Sequence, residues 1–129
     1  MEKIIDNKTK KILIIEDDED VRPFLKRIVE RKGYTVITAK DGLEGKGLYS
    51  KEHFDLVITD IVMPEMEGIE IIRNLNSDYP QTKIIVITGA DFSGIKNYLN
   101  NARIFGAHDA FAKPIDQKKL MKSISNLID

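Results

Sequence analysis

The chain has 129 residues, 42% of them hydrophobic and 32% charged, so its size and composition suit one globular domain with a single core. The net charge of -1 disfavours nucleic-acid binding, and the absence of cysteine excludes disulfides and thiolate metal sites. No apolar run approaches the ~20 residues that a membrane helix needs, and the N-terminus lacks the apolar stretch of a secretory signal. We therefore expect a cytoplasmic protein.

In chain order, short apolar runs alternate with longer segments of helical period. Residues 1–10 are predicted to form an N-terminal extension, and residues 11–129 a single domain. The predicted strands are Ile12–Ile15, Tyr34–Thr38, Leu56–Thr59, Ile84–Thr88 and Ala110–Ala112. The first, third and fourth runs are apolar at successive positions, which is typical of a parallel sheet with both faces covered.

Five helices are predicted between and after these strands. Their apolar faces carry Val21, Phe24, Leu25, Ile28 and Val29 in the first helix; Ile69, Ile72 and Leu75 in the third; Ile95, Tyr98, Leu99, Ala102 and Phe105 in the fourth; and Leu120, Ile124, Leu127 and Ile128 in the fifth. Gly33 is a predicted C-terminal cap of the first helix. Asp41 is a predicted N-cap of the second helix, which Gly45 and Gly47 weaken by about 1 kcal/mol each relative to alanine.

This alternation predicts an α/β fold, a parallel sheet with helices on both faces. Such a fold binds ligands at the carboxyl ends of its strands. The residues at these ends are Glu16, Asp17 and Asp18 after the first strand, Asp60 after the third, Thr88 at the end of the fourth, and Lys113 and Pro114 after the fifth.

The carboxylates of Glu16, Asp17 and Asp60 would repel one another, so their clustering indicates a hard cation. Carboxylate oxygens suit Mg²⁺, which usually takes one or two protein carboxylates together with phosphate oxygens. Lys113 supplies a further positive charge. Such a site is able to receive a phosphoryl group, because phosphoryl transfer depends mostly on positioning and charge neutralisation, and a carboxylate can be the nucleophile.

Each of these residues also has a structural interpretation. Asp18 stands where a helix N-cap is wanted, and Asp17 is open to the same capping interpretation. Taken by itself, Thr88 is explained as a hydroxyl at the end of a strand. Taken by itself, Lys113 is explained as a charged surface residue. Their occurrence together, each at its own strand end, favours the functional interpretation.

The motifs that carry a family resemblance are KILIIEDD, DLVITDIVMPEMEG, IIVITG and FAKP, at the first, third, fourth and fifth strands. With these motifs the chain resembles the response-regulator receiver domains, typified by CheY, over Lys11 to Asp129. The resemblance implies a flavodoxin-like (βα)5 fold, doubly wound, with a five-stranded parallel sheet in the order 2-1-3-4-5.

The resemblance also implies a metal site. Asp17 matches the carboxylate that binds Mg²⁺ directly, together with Asp60 and a main-chain carbonyl, here that of Val62. Glu16 matches the first acidic position, which touches the metal through water. Mg²⁺ is accordingly the expected cofactor.

For the phosphoryl group, Asp60 matches the acceptor of the family. Thr88 matches the hydroxyl that moves to meet the phosphoryl group, and Lys113 matches the lysine that pairs with it. Pro114 matches a proline that a cis peptide often precedes.

Three departures from the family pattern stand out. Glu16 occupies a position where many members have aspartate, and the stretch from Thr88 to Lys113 is a few residues longer than usual. Ala110 replaces an aromatic residue, while Phe111 should point into the core. In many relatives the aromatic side chain swings inward when the threonine hydroxyl moves toward the phosphoryl group. The methyl group of Ala110 has no rotamer that could make this movement. We therefore expect phosphorylation to reorder Gly89 to Tyr98 instead.

The resemblance implies a phosphoacceptor switch, which catalyses only its own phosphorylation and dephosphorylation and is not otherwise an enzyme. Its expected partners are a histidine kinase or a histidine phosphotransfer protein, which donates the phosphoryl group, and a separate downstream effector protein. Neither nucleic acid nor membrane is an expected partner, and a monomer or a weak dimer is the expected state.

Three alternatives from other classes compete with this function. A pseudo-receiver that binds partners without phosphorylation would be favoured by a lost acceptor or lysine. An aspartate phosphatase would use a D-x-D pattern, which Asp18–Asp20 matches only in spacing because a helix starts there. An EF-hand loop from Asp17 would need glycine where Arg22 stands. His53 and His108 are interpreted as surface residues.

Overall fold

The structure, a computed structural model, describes residues 9–61, 68–89 and 106–129. Its strands are β1 (Lys11–Ile15), β2 (Thr35–Ala39), β3 (Leu56–Asp60), β4 (Lys83–Thr88) and β5 (Asp109–Ala112). Its helices are α1 (Val21–Glu30), α2 (Gly42–Tyr49), α3 (Gly68–Asp78) and the C-terminal helix α4 (Gln117–Ile128). Every predicted strand is present to within one residue at each end. The predicted helix from Ile95 to Phe105 lies outside the described residues, as do residues 1–8 of the predicted extension.

All strand pairs in the sheet are parallel, and the strand order is β2-β1-β3-β4-β5. The predicted 2-1-3-4-5 order is thereby confirmed. Ile15 of β1 pairs with Thr59 of β3, and Thr88 of β4 pairs with Ala112 of β5. This register places the residues that follow the strands along one edge of the sheet.

Successive strand residues point to opposite faces of the sheet, and each face has its own core. On one face Leu13 and Ile15 pack with residues of α2 and α3. On the other face Ile12 and Ile14 pack with residues of α1 and α4. Because both faces are covered, β3 is buried at all five positions, as its continuous apolar run predicts.

Local sequence signals account for the ends and contacts of the helices. The C-cap position of α1 belongs to Arg31. The predicted glycine stop, Gly33, lies two residues later with a φ of 98°, and its amide donates to the Glu30 carbonyl. Asp41 accepts a hydrogen bond from the Glu44 amide at 2.8 Å and is the predicted N-cap of α2.

No helix in the described parts of the chain is long and apolar enough to span a bilayer.

Candidate functional site

Three carboxylates meet at the carboxyl edge of the sheet. One oxygen from each of Glu16, Asp17 and Asp60 lies within 4.8 Å of the others. Glu16 is completely buried and Asp60 is 4% exposed, whereas Asp17 is more open to solvent. The structure therefore brings together the three acidic residues that the sequence predicted as a metal site, and it leaves one of them accessible.

Lys113, the residue directly after β5, contacts this cluster. Its Nζ donates to Asp60 Oδ2 at 2.9 Å and lies 2.8 Å from Glu16 Oε1. Burial by itself would lower the pKa of Lys113, but the hydrogen bonds to Glu16 and Asp60 outweigh burial and raise that pKa. Lys113 is therefore a fixed positive charge at the site. The Lys113–Pro114 peptide bond is cis.

The acidic residues are incompletely balanced by this lysine. When ionised, the three carboxylates carry three negative charges and Lys113 one positive charge, so two negative charges remain. The pKa of Glu16 is raised to about 7, first by burial and then by the charge of Asp60, while hydrogen bonds from Lys113 and Asp18 oppose the rise. Clustered oxygen donors with excess negative charge are suited to a hard divalent cation, so these residues fit Mg²⁺.

Thr88 lies at the same edge, where it ends β4 and is completely buried. Its carbonyl accepts a hydrogen bond from the Lys113 amide at 2.8 Å, so the main chains at these two predicted site residues are joined directly. The carbonyl of Val62, predicted as a metal ligand, lies outside the described residues.

The loop from β1 to α1 carries Asp17 and is ordered by its own side chains. Asp18 Oδ1 accepts hydrogen bonds from the amides of Asp20 and Val21, and these bonds lower the pKa of Asp18. The N-cap position belongs to Asp20, but its side chain makes no capping bond. Asp18 therefore accepts amide hydrogen bonds at the start of the helix, as its structural interpretation expects. It is not the N-cap residue, because α1 starts later than an Asp18 N-cap would require.

Two glycines that sequence reasoning did not assign to the site shape it through close contacts. A Cβ at Gly68 would lie 2.6 Å from Ile61 Cα and would also collide with the Asp60 carbonyl. A Cβ at Gly89 would lie 3.2 Å from Lys113 Cδ. The glycine of the MPEMEG motif and the glycine directly after β4 were the available signals, but their contacts depend on the fold.

The departure at Ala110 has a clear place in the sheet. Ala110 is buried in the core on the α2 and α3 side, and Phe111 packs against the opposite core, as alternation predicted. Gly89 is described, but the rest of the segment expected to reorder on phosphorylation, up to Tyr98, lies outside the described residues. That expectation stays a prediction.

Comparison with known proteins agrees with this geometry. The family profile of the response regulator receiver domain matches residues 12–125. The response regulator receiver protein CpdR of Brucella abortus is 45% identical over 80 residues, which cover 62% of this chain and 67% of CpdR.

Further similarities differ in how much of the other protein they cover. Response regulator MprA of a Mycobacterium species is 32% identical over 92% of this chain, which spans only about half (50%) of MprA. The crystal structure of the response regulator TrrA of Thermotoga maritima in complex with Mg²⁺-BeF superposes with a TM-score of 0.79 at 28% identity. That superposition covers 92% of this chain and 99% of TrrA.

Proposed function

Because the chain belongs to the response regulator receiver domains of two-component systems, we propose that it accepts a phosphoryl group on Asp60 and signals by changing shape. The observation that carries this proposal is the position of Asp60 at the end of β3. There its carboxylate is hydrogen-bonded to Lys113 and lies within 4.8 Å of two further carboxylates. A single nucleophilic oxygen, a fixed cation and an acidic metal site are the parts that phosphoryl transfer requires.

Mg²⁺ is the proposed cofactor of this site. Asp17 and Asp60 would hold the ion directly and Glu16 through water, and the family resemblance adds the Val62 carbonyl. The bound ion supplies positive charge that offsets the charge of the incoming phosphoryl oxygens. The related TrrA structure contains Mg²⁺ with BeF, which supports the same pairing of metal and phosphoryl mimic here.

The proposed reaction is a displacement at phosphorus. An Asp60 carboxylate oxygen forms a bond to phosphorus while the phosphorus–nitrogen bond of a phosphohistidine donor breaks, and the imidazole leaves with that electron pair. Lys113 donates to a phosphoryl oxygen in place of one of its present carboxylate contacts. The Thr88 hydroxyl donates to another phosphoryl oxygen, and this new bond couples phosphorylation to the end of β4.

The proposed partners follow from this chemistry. The donor is a histidine kinase or a histidine phosphotransfer protein, and the proposed output is to a downstream effector. Beyond its own phosphorylation and dephosphorylation, the domain needs no enzymatic activity for this role. A phosphorylation-independent pseudo-receiver is the weaker alternative, because Asp60 and Lys113 are both present and in contact.

Intact-mass measurement with a small-molecule phosphodonor and Mg²⁺ tests the proposed function. We expect the wild-type chain to gain one phosphoryl group and Asp60→Asn to gain none. The exposed Asp20→Asn is a matched control and should be labelled like the wild type, because the Asp20 side chain makes no capping bond. Equal labelling of Asp60→Asn and wild type would rule out Asp60 as the acceptor.

A further inference from the structure

Arg22 lies in the first turn of α1, and its charged side chain is largely enclosed. The side chain is only 16% exposed. Nη1 donates to the Glu16 main-chain carbonyl at 2.8 Å, and Nη2 donates to Glu19 Oε1 at 2.9 Å. A guanidinium that has lost this much water requires such partners, and its rigid fork holds both at once.

The Glu16 carbonyl belongs to the peptide group that joins Glu16 to Asp17. On the other side of Glu16, its amide donates to the Ala39 carbonyl at 3.0 Å. The main chain is therefore held on both sides of Glu16, by β2 through the amide and by Arg22 through the carbonyl. The second of these bonds fixes the orientation of the peptide from which Asp17 projects.

The charge of Arg22 and its hydrogen bonds have opposite effects on a bound cation. A positive charge near the carboxylates repels Mg²⁺, so removal of the charge alone would strengthen Mg²⁺ binding. Loss of Arg22 also leaves the negative charge of Glu19 without its ion pair, which acts in the same direction. Loss of the bond to Glu16 instead loosens the peptide before Asp17 and would weaken binding.

We propose that Arg22 is a positioning residue that holds the Asp17 carboxylate in the geometry that Mg²⁺ requires. This inference rests on the proposed function, because the metal site is its premise. Mg²⁺ demands near-ideal octahedral geometry, whereas Ca²⁺ accepts flexible coordination. Loss of Arg22 should therefore weaken Mg²⁺ binding more than Ca²⁺ binding, and so lower the preference of the site for Mg²⁺.

Isothermal titration of the full chain with MgCl₂ and with CaCl₂ tests the proposal. We expect Arg22→Ala to weaken Mg²⁺ binding by about tenfold or more, in line with other residues that orient metal ligands, and to weaken Ca²⁺ binding less. Arg27→Ala removes an exposed arginine from the same helix and should leave both affinities unchanged. Lys113→Ala removes a charge in direct contact with the carboxylates and should strengthen Mg²⁺ binding.

The outcomes separate the two levels of inference. Unchanged or tighter Mg²⁺ binding in Arg22→Ala, or equal losses for both cations, would overturn the positioning role. The metal site itself fails if the wild type binds no Mg²⁺ or if Asp17→Ala binds it equally well.

If Arg22→Ala does not fold, Arg22→Lys carries the test. Lysine keeps the positive charge but lacks the planar guanidinium that donates to the Glu16 carbonyl and to Glu19 at once. A lower Mg²⁺ to Ca²⁺ affinity ratio in Arg22→Lys supports the role, and a wild-type ratio contradicts it.

Discussion

Glu16 is a buried carboxyl group whose pKa of about 7 reflects burial first and the neighbouring Asp60 charge second. A carboxyl whose folded-state pKa is raised contributes stability when protonated, and this contribution is lost as the pH rises through about 7. Lys113, at 2.8 Å, offsets part of that loss. The Glu16 side chain also accepts a hydrogen bond from the Asp18 amide at 3.0 Å. It therefore helps to order the loop from β1 to α1.

His108 shows the opposite dependence on pH. It is exposed at the surface, as the sequence predicted, yet its Nδ1 accepts a hydrogen bond from the Ile84 amide at 3.1 Å. Partial burial of the ring, and then the charge of Lys83, lower the pKa of His108. Only the neutral imidazole accepts this bond, so its stabilising contribution is present above the ordinary pKa of 6.5 and is lost as the pH falls.

His108→Asn tests this contribution. The Asn amide oxygen replaces Nδ1 as an acceptor and does not titrate, so the variant should keep its hydrogen bond in acid. Between about pH 8 and pH 5 the wild type should lose roughly 0.5–1 kcal/mol of unfolding free energy relative to the variant. Urea denaturation of both proteins measures this difference, in which the Glu16 contribution cancels. Parallel pH profiles of the two proteins would contradict the role of His108.

At the scale of elements, glycines decide how closely helices approach the sheet. Gly68 begins α3 directly against the main chain of Asp60 and Ile61. Gly45 of α2 lies against Ile15, where a Cβ would come within 2.5 Å of Cδ1, whereas a Cβ at Gly47 would meet nothing within 4 Å. Two glycines that look alike in the α2 sequence therefore differ, because only Gly45 is needed for packing.

We expect alanine substitutions at Gly68 and Gly47 to have opposite effects on stability. Gly47→Ala should raise the free energy of unfolding by about 0.5–1 kcal/mol, since alanine favours the helix and nothing opposes its methyl group. Gly68→Ala should lower it by about 1–3 kcal/mol or more, because main-chain atoms must move. Equilibrium urea unfolding measures both, and a change of the same sign in both variants would refute the close contact at Gly68.

At the scale of the whole molecule, the candidate site joins elements that are distant in sequence. Glu16, Asp60, Thr88 and Lys113 follow or end four different strands of one sheet. An unfolded chain does not bring these residues together, so a ligand that uses them binds only the folded state. Such binding stabilises the entire domain by mass action.

Mg²⁺ with beryllofluoride should therefore raise the melting temperature of the chain. At about one hundred times the dissociation constant, the ligand adds about 2.7 kcal/mol, which corresponds to a rise of roughly 10 °C for a domain of this size. Differential scanning calorimetry measures the shift, and Asp60→Asn should lose the part that depends on beryllofluoride. No shift in the wild type would contradict a phosphoryl site.

Local patterns in the sequence determined the element types and the residues of the candidate site. Apolar runs and helical periods are short-range signals, so all five strands and the helices α1, α2, α3 and α4 were predictable. The carboxyl ends of parallel strands share one edge, so the pattern of strands was enough to group Glu16, Asp17, Asp60, Thr88 and Lys113 at one site. The 2-1-3-4-5 order came from the family resemblance, because strand adjacency is not a local property.

The tertiary structure alone decided the contacts between residues that are far apart or whose side-chain directions depend on packing. The 2.8 Å approach of Lys113 to Glu16, and the burial that raises the Glu16 pKa, arise only when β1 and β5 share a sheet. The bond from Arg22 to the Glu16 carbonyl and the bond from the Ile84 amide to His108 depend likewise on how α1 and β5 pack. Hydrophobic periodicity specifies which face is buried, but the partner of a polar atom is set by three-dimensional packing.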